Sequence, residues 1–155
     1  MANTPEVRVK NIIDKLLKKY EYATIVRPVL GVPNRSPLAT TLDVYQVPMQ
    51  HKIIWWYKPA SGIYGKSGIP DYIGCICGKM FGIEAKANGG VLTSLQASTL
   101  NVMESAGAKI FIIHGITDSK LYGREQPAMS PSYAELEEWL KQQHFAFIAL
   151  KILEN

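Results

Sequence analysis

Cysteine is nearly absent: the 155 residues contain two, Cys75 and Cys77, separated by one position. On a strand they would point the same way, too poorly placed for an ordinary disulfide, so a disulfide-stapled fold is not expected. Histidine is also scarce. A structural zinc site needs four ligands, commonly two spaced pairs. Here one cysteine pair stands beside three scattered histidines, His51, His114 and His144. The cysteines are therefore expected to be small buried side chains. No apolar run approaches the ~20 residues of a membrane span. The opening MANTPEVRVK has no apolar h-region. An intracellular protein without a membrane partner is expected. Internal repeats and low-complexity tracts are lacking too. The composition, 47% hydrophobic and 19% charged, suits one ordinary domain over residues 1–155. Such a chain buries about two-thirds of its unfolded surface.

Charge is present and uneven. Residues 1–86 carry 12 Lys/Arg against 6 Asp/Glu, and residues 87–155 carry 5 against 7, within a formal net charge of +4. A basic excess in one half fits a nucleic-acid partner, and it also fits many soluble proteins that bind none.

Hydrophobic periodicity predicts a first helix from Pro5 to Tyr20, with Thr4 as N-cap and Ile12, Ile13, Leu16, Leu17 and Tyr20 at helical spacing. ATIVRPVLG reads as a strand interrupted by Pro28, VPNRSPLATTLDVYQVP as loop, and HKIIWWYKP as a strand with Trp55 and Trp56 on opposite sides. After the glycine-rich ASGIYGKSG, YIGCIC and MFGIEAKA form a hairpin. Thr93 to Gln96 has capping-box spacing, which opens a helix from Ser94 to Ala106 closed by Gly107. AKIFIIHGI is a buried strand, 117–130 is loop, Ser130-Pro131 starts a third helix, and FAFIALKIL closes the chain as a last strand. Helices alternating with apolar strands predict an α/β sandwich around a mixed sheet.

The segment SGIPDYIGCICGKMFGIEAKA sets Asp71, Glu84 and Lys86 in an apolar, glycine-rich run. A buried charge is costly unless it is paired or bound to a metal. With Gly78-Lys79 as a two-residue turn, Cys77 would pair with Met80, Ile73 with Glu84 and Asp71 with Lys86. Two carboxylates and one ammonium would then share a face, while Tyr72, Ile76, Phe81, Ile83 and Ala85 form the core face. Two carboxylates with a backbone carbonyl can hold Mg²⁺, which prefers oxygen ligands. An ion-paired strand end explains the same three residues, and the hairpin pattern leaves both readings open.

Pro70-Asp71, twelve intervening residues, then Glu84-Ala85-Lys86 resembles the PD-(D/E)XK nuclease superfamily. The fuller stretch SGIPDYIGCICGKMFGIEAKANGGVLTSLQ is similar to the VRR-NUC domain of the stand-alone phage and bacterial type. In it Gln96 lies ten residues after Lys86, and AGAKIFII follows the helix. The resemblance covers Ser67 to about Ile113; VRPVLG (26–31) is only loosely similar to the family's arginine-bearing strand.

It implies a restriction-endonuclease-like α/β/α sandwich that cuts DNA with Mg²⁺ or Mn²⁺. Asp71 and Glu84 would be metal ligands with the Ala85 carbonyl, Lys86 the catalytic lysine, and Gln96 a neighbour of the metal. Glu6 on the first helix matches an acidic residue of many members, although a first-turn Glu is favoured by the helix dipole in any case. Small stand-alone members imply a homodimer acting on branched DNA such as a four-way junction. Flap, nicking or non-specific cleavage, and a DNA-binding module without turnover, are the competing readings. Lys66, Arg27 and Lys58, with Arg35 and Lys52, flank the motif as candidate phosphate contacts. Trp55 and Trp56 are candidates to stack on bases, with at least one of them in the core.

Overall fold

The computed structural model describes residues 4–31, 43–60, 67–115 and 129–154. Residues 32–42, 61–66 and 116–128, which take in much of the three predicted loops, lie outside them, Lys66 and Arg35 among them.

Helix α1 (Pro5–Lys19) starts as its sequence dictates. Thr4 is extended, its hydroxyl accepts the Val7 N–H at 3.4 Å, and Pro5 occupies the first turn. Val9, Ile13, Leu16 and Leu17 form its buried stripe. Strands β1 (Tyr22–Gly31) and β2 (Asp43–Lys52) pair antiparallel as a separate ribbon, from Tyr22 opposite Lys52 to Gly31 opposite Asp43. Each strand of a two-stranded ribbon is an edge strand, so Pro28 and Pro48 are tolerated within it.

The second sheet runs in the order β3 (Ile54–Tyr57), β4 (Tyr72–Ile76), β5 (Lys79–Lys86), β6 (Lys109–His114). Its first two pairings are antiparallel and the last is parallel. Joining parallel strands requires a crossover, and α2 (Ser94–Ser105) provides it. The chain ends in α3 (Pro131–Leu153).

Alternation along β4 and β5 sends Tyr72, Ile76, Phe81, Ile83 and Ala85 into one core with α1 and with Leu136 and Leu140 of α3. The rings of Phe81 and Phe111 meet Trp139 at 6.0 and 5.6 Å. α2 lies against the opposite face, where a Cβ on Gly82 would come within 3.0 Å of Met103. The chain is thus a mixed α/β fold with helices on both faces of a mixed sheet.

Four expectations are corrected. FAFIALKIL is the second half of α3, not a strand. No Gly or Pro interrupts the chain after Pro131, and Leu136, Leu140, Gln143 and Phe147 recur on the inner side. The outer side is apolar as well, with Phe145 and Ile152 exposed, so this stretch shows no helical period. Second, DVYQVP belongs to β2, and HKIIWWYKP is divided at Ile53, whose N–H donates to Glu21 O at 2.9 Å rather than to a partner strand. Third, the hairpin turn is Cys77-Gly78. Both residues have positive φ, 48° and 81°, the conformation of a type I′ turn. Ile76 pairs with Lys79 and Ile73 with Gly82, a register two residues from the expected one. Fourth, Cys75 is half-buried and Cys77, at the turn, is exposed.

Candidate functional site

A two-residue register change preserves which face each side chain takes, because the strand period is two. The shared face of Asp71, Glu84 and Lys86 therefore survives the correction. What changes is the pairing: continuing the ladder past Tyr72 opposite Ile83 brings Asp71 level with Glu84. Side chain and backbone lock the two reciprocally. The Asp71 N–H donates to Glu84 Oε2 at 3.2 Å, and the Ala85 N–H donates to Asp71 Oδ2 at 2.9 Å. Asp71 lies just before β4 behind Pro70, which is itself fully buried.

Glu84 is the buried acid of the described residues, 2% exposed. Burial pushes its carboxyl above the usual carboxylate range, the Lys86 ammonium pulls it back, and the neighbouring Asp71 charge raises it again. Lys86 Nζ sits 2.8 Å from Glu84 Oε1 and donates to Gln96 Oε1 at 3.1 Å.

Gln96 performs two tasks with one amide. At the third position of α2 it completes the capping box: its Oε1 accepts the Thr93 N–H at 3.0 Å, and its own N–H donates to Thr93 Oγ1. Its Nε2 donates to Glu84 Oε1. Turning the amide over would set its NH₂ against two donors, so the network fixes its orientation. The helix start thus aims Gln96 at the carboxylate and the lysine together. The loop between also supports Lys86, because a Cβ on Gly90 would lie 3.3 Å from Lys86 Cβ, and the Gly90 carbonyl meets His114 Nε2 at 3.1 Å.

α1 supplies a part of the site that the sequence reading did not single out. Lys10 Nζ lies 2.7 Å from Glu6 Oε1 and 2.7 Å from Asp71 Oδ1. The buried Tyr72 hydroxyl sits 2.8 Å from the Lys10 carbonyl and 2.7 Å from Asp14 Oδ1. Its single proton serves one of these two acceptors, and the carboxylate is the stronger. Lys58 completes the row, 2.6 Å from Asp14 Oδ2. The signal was present in the sequence: Glu6, Lys10 and Asp14 are spaced four apart and share one helix face.

The remaining predicted residues are placed as follows. Glu6 reaches Asp71 through Lys10. Lys58 is tied to Asp14, and Arg27 is half-buried on the separate β1–β2 ribbon. Trp56 packs against the core, its ring 5.8 Å from Tyr72, whereas Trp55 is 58% exposed beside Tyr57. Among the described residues no three His, Cys, Asp or Glu side chains converge as a metal-ligand group; the carboxylates that converge number two, Asp71 and Glu84. A cavity of about 280 Å³ lies elsewhere, between α2, β6 and the start of α3, lined by Leu100, Glu104, Phe111 and Glu135.

No family model, no curated protein and no solved structure matches the chain. The chemistry must therefore be read from the site. Its donor set is hard: two carboxylates, one of them buried, beside backbone amides and an ammonium. Oxygen donors of this kind suit Mg²⁺ or Mn²⁺ and do not suit a thiophilic metal. Asp71 and Glu84 are thus the residues that could hold a hard divalent ion.

Proposed function

We propose that this chain is a metal-dependent DNA endonuclease with a restriction-endonuclease-like α/β/α sandwich, similar to the VRR-NUC branch of the PD-(D/E)XK nucleases. The observation that carries the reading is the convergence of Asp71, Glu84, Lys86 and Gln96 on one face of the sheet, with the Glu84 carboxyl buried beside that of Asp71. An ion pair at a strand end has no need of a buried carboxylate set beside a second one, because burial costs several kcal/mol that pairing only partly offsets.

Asp71 and Glu84 would hold Mg²⁺ or Mn²⁺, together with the Ala85 carbonyl. Such an ion supplies Lewis-acid stabilisation of a phosphate oxygen and lowers the pKa of a water near it. Lys86 orients that water or offsets the charge that builds on the phosphoryl group. Gln96 holds Lys86 and Glu84 in fixed relation, and Glu6 stands behind Asp71 through Lys10. The basic excess of residues 1–86 favours a polyanionic substrate. Lys58 is a candidate phosphate contact beside the site, and Arg27 and Lys66 are candidates farther along the basic half. A homodimer acting on branched DNA is the proposed form, since paired incisions call for two sites related by a two-fold axis.

The test uses wild type and Lys86→Ala on labelled four-way junction, flap and linear duplex with Mg²⁺, Mn²⁺ or EDTA, with folding checked by circular dichroism. Metal-dependent cutting that falls by three or more orders of magnitude in Lys86→Ala is expected. The products distinguish junction resolution from flap or non-specific cleavage. Binding without cutting under every metal would leave a DNA-binding module instead.

A further inference from the structure

The oxygens of the two carboxylates divide into two kinds. Asp71 Oδ2 and Glu84 Oε2 accept backbone N–H groups, which fix the side chains. Asp71 Oδ1 and Glu84 Oε1 carry ammonium groups, Lys10 on the first and Lys86 on the second. A divalent cation entering between these carboxylates therefore meets Asp71 at the oxygen that Lys10 holds at 2.7 Å. Two cations on one oxygen repel, so the lysine and the metal compete.

We propose that Lys10 is a resident counter-ion for Asp71, displaced by the metal and received by Glu6. It is a positioning residue, and Glu6 acts through it, not as a metal ligand. The inference rests on the metal-dependent reading above. Three observations support it. Lys10 Nζ already touches Glu6 Oε1, at the same 2.7 Å distance as Asp71, so release needs a small swing and leaves the ammonium paired. Its backbone is held within α1, where the buried Val9 and Ile13 flank it, so the stem stays at the site while the tip moves. Its side chain is 26% exposed, so a path to solvent exists, whereas that of Lys86 is 13% exposed and remains enclosed with Gln96. The two lysines would thus have different fates: Lys86 stays within the carboxylate–glutamine network, and Lys10 leaves. In its absence the two adjacent carboxylates would share the one ammonium of Lys86 in the metal-free protein.

Calorimetric titration with Mn²⁺ in the absence of DNA tests this. Lys10→Met keeps the apolar stem and removes the charge. It is expected to bind Mn²⁺ about tenfold or more tighter than wild type, within the usual range of coupling between two sites. Asp71→Asn should abolish binding in both backgrounds. Glu6→Gln should weaken binding in wild type, because Lys10 loses its alternative partner, and should change nothing in Lys10→Met. A true Glu6 ligand would weaken both, and that result overturns the assignment of Glu6.

Equal or weaker Mn²⁺ binding by Lys10→Met overturns the proposal while leaving a metal-dependent nuclease intact. No Mn²⁺ binding by wild type at millimolar concentration overturns both. Should Lys10→Met not fold, amine labelling of wild type read by mass spectrometry decides the matter. Lys10 is expected to react several-fold faster with saturating Mn²⁺, and an unchanged rate sinks the proposal.

Discussion

The two faces of the β4–β5 hairpin come from one short stretch of chain and obey different rules. On the inner face Tyr72, Ile76, Phe81, Ile83 and Ala85 are all 0% exposed. Those positions ask for apolar volume, and their energetics follow how much surface leaves water and how well the space is filled. On the outer face Asp71, Glu84 and Lys86 are ionisable, and each polar atom answers to a named partner. Errors there are counted in unpaired groups, not in lost volume. The comparison teaches a division of demands: the inner face holds the fold by packing, and the outer face carries a buried carboxylate whose ionised form burial disfavours and its partners favour.

The contrast can be broken most severely from the inside. Phe81→Ala empties a site enclosed by Trp139 and the core, and is expected to cost about 3–5 kcal/mol in urea unfolding. Its surviving folded fraction should still bind Mn²⁺. Gln96→Ala strikes the outer face, where the side chain makes three hydrogen bonds, two of them to charged groups. About 2 kcal/mol is expected, with a loss of cleavage far larger than that figure implies for folding. Comparable losses in stability and in rate for both variants would show that the two faces are not separable.

Much of this division was legible in the sequence because it depends on parity. Asp71, Glu84 and Lys86 fall on one face for any even shift of register, so the wrong turn left the face assignment intact. The capping box at Thr93 and the start of α1 at Thr4-Pro5 were legible for a local reason, since caps are short-range chemistry. The end of the chain was not. Phe145, Phe147, Ile148 and Ile152 surround α3, and an apolar run without a period is read equally well as a strand. Lys10 was missed because its meaning is tertiary. One helix turn from Glu6 it looks like a surface i,i+4 pair, and only the packing of α1 against β4 brings Asp71 to it.

Tyr72 brings polar bonding to the inner face, since its ring is in the core and its hydroxyl reaches α1. Tyr72→Phe keeps the ring and removes the link to Asp14. About 1 kcal/mol should be lost, because Asp14 retains Lys58 and is not stranded. A loss above about 3 kcal/mol would mean that the hydroxyl, not the apolar stripe, docks α1.

The smallest effect has the most informative sign. Burial holds the Glu84 carboxyl above the ordinary value of 4.5. As pH rises from there, the unfolded chain gives up its proton first while the folded chain keeps it. The folded state then binds more protons, so stability falls with rising pH until the folded group has also ionised. Glu84→Gln cannot ionise and lacks this slope. The wild-type advantage over Glu84→Gln in melting temperature, measured without metal, should therefore shrink from pH 4 to pH 7, and any reversal would lie at the upper end. A wild-type advantage that grows with pH would mean that Lys86 and the Asp71 N–H outweigh burial. The outer face would then stabilise the fold as the inner one does, and the contrast between them would fail.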